Sequence, residues 1–171
     1  MNLYDLSVAT YRSRLGTLAG LIAKAEQHRE GDSLCGAKLA DDMHPLGTQI
    51  RFVTNIPGEA IDRLGVTNFS SSDDEVTSFA QAKELIENAK DLLDTIDVES
   101  LPAPDQPMEF AIGGGAFEFA MTAEEYVRDF SLPNFYFHLS IAYAILRMSG
   151  LEIGKADFIP HMFKYLAKPP S

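Results

Sequence analysis

Asn134 and His138 are the residues whose types and spacing could do chemistry: an imidazole that titrates near neutrality and a carboxamide four places before it. Four residues is slightly more than one helical turn, so the two share a stripe with Ile141 and Ile145. That stripe predicts both polar groups pointing inward. A buried polar group costs a few kcal/mol unless it is hydrogen-bonded or coordinated, so partners must come from a neighbouring helix.

The segment 34–64 is expected to supply them as the second helix. If it runs continuously through Asp42, its inward stripe is Asp42, Leu46, Gln49, Ile50 and Val53, and His44 falls on the opposite side with Thr48, Arg51 and Asn55. Proline favours the first helical position, so Pro45 offers a second geometry in which His44 is a cap residue free of helical phase. The inward polar set is then Asp42, Gln49, Asn134 and His138, able to satisfy one another by hydrogen bonding, with His138 charged if it lies beside Asp42. A metal reading instead unites His44 and His138 with a third ligand from Asp41, Asp42 or Asn134, because zinc or nickel catalysis needs three protein ligands and an open position. Lone histidines on apolar stripes are more often satisfied core residues, which favours the polar network.

The elements that must position these groups are helices. Tyr4, Val8, Tyr11, Leu15, Leu18, Ile22 and Ala25 line one side of a long first helix with Asn2 as its N-cap. The second helix stops at Gly65 and should kink or break near Asn55, ahead of Pro57. A capping box at Ser72 to Glu75 precedes the third stripe, Phe79, Ala82, Ile86, Ala89, Leu93 and Ile96. Alternating apolar residues on either side of Gly113-Gly114-Gly115 predict a β-hairpin rather than a phosphate loop, which would need a helix directly after the glycines. A further capping box, Thr122 to Glu125, opens a helix that stops or kinks at Pro133 and otherwise continues to Met148, with Gly150 closing it. The expected architecture is all-α, a four-helix bundle with a small hairpin before the last long helix. One domain spanning 1–171 suits the chain's size.

Composition narrows the partners. A net charge of −11 opposes binding to phosphate backbones, so nucleic acid is not expected. Apolar runs are too short for a membrane span, and the N-terminus shows no secretory signal. The lone Cys35 fits a reducing, cytoplasmic setting. His28 and His161 fall in or near loops and tails and are expected to be exposed. Asp91, Asp94 and Asp97 read as a solvated helix face.

The series Asp42-Met43-His44-Pro45-Leu46, Pro133 to His138, Ala142 to Arg147 and Gly150 to Phe158 resembles an uncharacterised bacterial family of the DinB/YfiT-like superfamily, in order and over nearly the whole chain. The resemblance implies a DinB-like four-helix bundle that often dimerises. It also implies, for members that are enzymes, a metal-dependent thiol transferase or hydrolase using one histidine of the second helix and a His-x-x-x-His pair of the last. Here His138 has Asn134 and Ala142 four residues to either side, so the pair is incomplete.

Three functions follow as expectations. The first is a bundle holding a small molecule at a polar pocket formed by Asp42, Gln49, Asn134 and His138. The second is a thiol transferase or hydrolase assisted by zinc or nickel at His44 and His138. The third is a homodimeric interaction protein that uses the apolar segment after Gly150.

Overall fold

A computed structural model describes residues 2–167; Met1 and residues 168–171, the end of the apolar C-terminal segment, lie outside them. The elements run α1 (Leu3–Leu6), α2 (Val8–Ala25), α3 (Leu46–Arg63), α4 (Phe79–Asp94), the hairpin strands β1 (Pro107–Ile112) and β2 (Phe117–Thr122), then α5 (Ala123–Glu125), α6 (Leu132–Met148) and α7 (Lys155–Phe158). The long helices α2, α3, α4 and α6 pack as a four-helix bundle, with the hairpin before the last of them.

The first helix is two pieces. Asn2 caps α1 by accepting from the Asp5 N–H at 2.7 Å, and Ser7 interrupts the path, its hydroxyl bonding back to the Leu3 carbonyl at 2.6 Å. Beyond it, Val8, Tyr11, Leu15, Leu18, Ile22 and Ala25 are all fully buried. Tyr11 donates its hydroxyl to Ser131 at 2.6 Å, tying α2 to the start of α6 inside the core.

Helix α3 begins only at Leu46, with Pro45 as its N-cap, so Asp42 and His44 both lie ahead of it. No break occurs at Pro57: the helix runs unbroken to Arg63 and ends at Gly65, whose φ of +77° suits a left-handed cap. An extended segment from residue 66 to 78 then crosses α3. It is anchored by Asn55, which donates to the Ser72 carbonyl at 2.8 Å and accepts from the Ser72 N–H at 3.3 Å. Phe69 seats its ring on Gly58, where a Cβ would lie 2.5 Å from the nearest ring carbon. Residues 72–75 belong to this segment and cap nothing. The capping box of α4 is Ser78 with Gln81, six residues later, and the expected stripe from Phe79 to Ile96 is buried as patterned.

The hairpin pairs Pro107 with Thr122 through Ile112 with Phe117, and Gly113, Gly114 and Gly115 all take positive φ in its turn. Its apolar face docks through Phe110, whose ring centroid is 5.0 Å from Tyr126 and 4.9 Å from Phe130. The Thr122–Glu125 capping box opens α5 as expected. The chain neither stops nor breaks at Pro133; a π-helical turn, Tyr126–Ser131, leads straight into α6 with Pro133 in its first turn. The wider turn accommodates a residue that lacks an N–H to donate. Among the described residues no helix is long and apolar enough to cross a membrane.

Candidate functional site

The buried face of α6 comprises Leu132, Phe135, Leu139, Ala142, Ile145 and Leu146, and its centre lies roughly 60° around the helix from His138 and roughly 100° from Asn134. Asn134 and His138 therefore stand half-buried on its flank, at the edge of the crevice between α6 and α3, and not in a dry interior. Across that crevice the first turns of α3 place Gln49 inward, 2% exposed, with Phe52 half-buried one turn later.

Gln49 and His138 meet. Gln49 Oε1 lies 2.8 Å from His138 Nδ1, and Gln49 Nε2 donates to the His44 carbonyl at 3.2 Å. The second bond fixes the first: turning the amide over would bring two oxygens together at His44. Oε1 must therefore accept, and Nδ1 must carry the ring proton. The other nitrogen, Nε2, is left as an unprotonated acceptor with no hydrogen-bond partner among the described residues.

Two aromatic rings flank the imidazole. Phe52 lies 4.6 Å from the His138 ring, centroid to centroid, and Phe137 lies edge-on at 5.1 Å. The His44 ring also packs edge-on against Phe52 at 5.4 Å, and the Arg51 guanidinium lies 5.4 Å from the Phe52 ring centroid. Burial among these groups, with a lesser contribution from His44, pushes the His138 pKa down to about 4. The ring is thus neutral at physiological pH, not charged as a neighbour of Asp42 would make it.

Asp42 and His44 are both exposed, because Pro45 starts the helix after them. Asp42 takes no part in the cluster, and Asn134 makes no side-chain hydrogen bond among the described residues. Of the expected inward set only Gln49 and His138 come together, joined by the His44 backbone and not its ring. No group of three histidine, cysteine or carboxylate side chains converges among the described residues. A catalytic zinc or nickel site at His44 and His138 would require a third protein ligand, and no histidine, cysteine or carboxylate supplies one among the described residues. Phe52 and Phe137 were not legible as site residues, since Phe52 on a helix pattern and Phe137 within the run Phe135 to Phe137 read as core or interface packing.

Other titratable groups sit apart. Cys35 is buried and its thiol is pushed up to about 11 by burial and by Asp32, which makes it unreactive at neutral pH. His28 and His161 are half-buried, not exposed: His28 Nδ1 accepts from the Glu30 N–H, and His161 Nδ1 is buried without a partner among the described residues. Surface cavities of about 450 and 260 Å³ lie between α2 and the Gly150–Ile153 segment, and between α3, α4 and the Phe69 segment.

The four-helix bundle with its hairpin is a DinB-like fold. The profile of a domain of unknown function, DUF1993, matches residues 3–159, and the chain belongs to that family. It is also similar to the crystal structure of a DinB family member protein from Shewanella denitrificans, with 25% identity, coverage of 99% of this chain and 94% of that one, and a TM-score of 0.79. No curated protein matches it.

Proposed function

We propose that this DinB-like bundle binds a small organic molecule at the mouth of the α3–α6 crevice, with His138 Nε2 as the polar anchor. The observation that carries this reading is the locked tautomer: Gln49 and the His44 carbonyl hold the ring so that a neutral lone pair remains free between aromatic walls. Such a site suits a ligand with one hydrogen-bond donor on a flat apolar body, since Phe52 and Phe137 offer ring faces and edges. A cytoplasmic setting fits the buried, unreactive Cys35.

A fragment library screened by protein-observed NMR tests the idea. Donor-bearing aromatic fragments are expected to move the His138 and Phe52 resonances and to lose affinity in His138→Ala. Hits that all map elsewhere, or that bind His138→Ala equally well, defeat it.

A metal-assisted thiol transfer or hydrolysis is the lesser reading. Its support is that a histidine held through Nδ1 presents Nε2 as metal ligands do, and the incomplete ligand set counts against it. Self-association is favoured by a different observation: Phe137, Ile141, Ala144 and Met148 form one stripe on α6, with Phe137 57% and Met148 55% exposed. Light scattering on Met148→Glu should show a smaller particle than the parent if this face joins two copies, and identical masses refute that interface.

A further inference from the structure

At the opposite end of α3, about 21 Å from Gln49 along the helix axis, Arg63 is held in an unusual way for a surface cation. Its guanidinium carbon lies 5.7 Å from the ring centroid of Phe110 and 6.0 Å from that of Phe130, and Nη1 donates to the Tyr126 hydroxyl at 3.2 Å. Three elements thus fix one side chain: the hairpin, the π-helical turn and α3 itself. The chain carries 25 acidic residues against 14 basic ones. Yet no carboxylate pairs with Arg63 among the described residues, and its Nε and Nη2 have no acceptor there.

Arg63 also lines a cavity of about 160 Å³, whose other walls include Leu64, Pro102, Met108 and Ala123, with Gln106 exposed at the rim. That volume is below the roughly 300–1,000 Å³ of drug-sized sites, so an occupant is small. The walls are mostly aliphatic and contain one full charge. A phosphate dianion would need more donors than the cavity provides, whereas a carboxylate offers two oxygens to an arginine fork and an apolar tail to Leu64 and Met108.

We propose that Arg63 anchors a short-chain aliphatic monocarboxylate in this cavity, with the carboxylate on the guanidinium and the alkyl tail against Leu64, Pro102 and Met108. The binding needs no part of the His138 crevice. The aromatic clamp supplies preorganisation, because a guanidinium already held against two rings loses little freedom when an anion arrives.

The test uses the whole protein. Acetate, propanoate and butanoate are titrated at matched ionic strength against sodium chloride, inorganic phosphate and neutral propanamide, following melting temperature and the Arg63 Nε–H resonance. The expected result is saturable stabilisation by the carboxylates, growing with chain length, with an Arg63 shift that propanamide does not produce. Arg63→Lys should weaken affinity about tenfold by losing the fork, and Arg63→Gln should abolish the response. If Arg63→Gln fails to fold, Met108→Phe, which fills the cavity and keeps the charge, decides: loss of the response supports the site and a retained response overturns it. Equal effects of carboxylate, phosphate and chloride, or an Arg63 resonance that does not move in the parent protein, also overturn it and leave Arg63 as a structural clamp only.

Discussion

Gln49 sets the tautomer of His138: its amide nitrogen donates to the His44 carbonyl, so its oxygen accepts from Nδ1–H of the histidine and Nε2 is left bare. Because the group is partly desolvated, its pKa falls from the ordinary 6.5 to about 4.

This shift makes stability depend on acid. The unfolded chain binds a proton at His138 near pH 6.5 and the folded chain only near pH 4, so between those values unfolding takes up a proton and stability rises with pH. The contribution is complete above pH 6.5 and is lost as pH falls toward 4. With the ring half-exposed, solvent screening reduces it to on the order of 1 kcal/mol. Urea denaturation at pH 7 and pH 4.5 is expected to show a smaller difference for His138→Gln than for the parent. Equal differences would show that His138 titrates normally. Nitrogen chemical shifts of the ring give an independent readout, with Nδ1 protonated at pH 7.

Phe69 and Gly58 predict a second measurable effect. An added methyl at residue 58 meets a ring carbon at 2.5 Å, so Gly58→Ala must push the Phe69 segment away from α3. The expected cost is about 1–3 kcal/mol, accompanied by faster proteolysis between residues 66 and 78. Phe69→Leu in the same chain should recover part of the loss, because the two changes share one contact. Additive losses would mean that the segment does not rest on Gly58.

Two neighbouring residues of α2 should behave very differently. Tyr11 is fully buried and its hydroxyl is spent on Ser131 at 2.6 Å, so Tyr11→Phe strands a core hydroxyl and should cost about 1–2 kcal/mol. Arg12 pairs with Asp94 in the open, with both side chains about half exposed. Arg12→Ala is expected to change stability by less than about 0.5 kcal/mol, which thermal denaturation of the two variants would resolve.

The bundle was legible in the sequence wherever period and punctuation agreed. The Val8–Ala25 and Phe79–Ile96 stripes are buried as patterned, and Asn2, Gly65, Gly150 and the triple glycine perform the expected capping and turning. The start of α3 was ambiguous because Pro45 tolerates either reading, and its position as N-cap removes Asp42 from the helix altogether. Ser72 failed as a cap because Ser78-x-x-Gln81 offers the same chemistry nearer the apolar run, and the intervening residues found partners on α3 instead. For His138, helical periodicity yields an arc over 100° wide and not its centre. Which edge of the arc meets a neighbour depends on packing, so a flank residue reads from the sequence like a core one. The Gln49 partnership was within reach because Gln49 lies on an unambiguous stripe, whereas the Phe52 and Phe137 walls depend on that packing.

The π-helical turn at Tyr126–Ser131 works as a gear between the hairpin and the last helix. Removing one residue from it would let ordinary α-geometry form, but would rotate α5 and the hairpin relative to α6 by about one residue step, roughly 100°. Phe110 would then swing off Arg63, and the Tyr11 hydroxyl would lose its mate at Ser131, so length in this short stretch is constrained more tightly than the identity of its side chains.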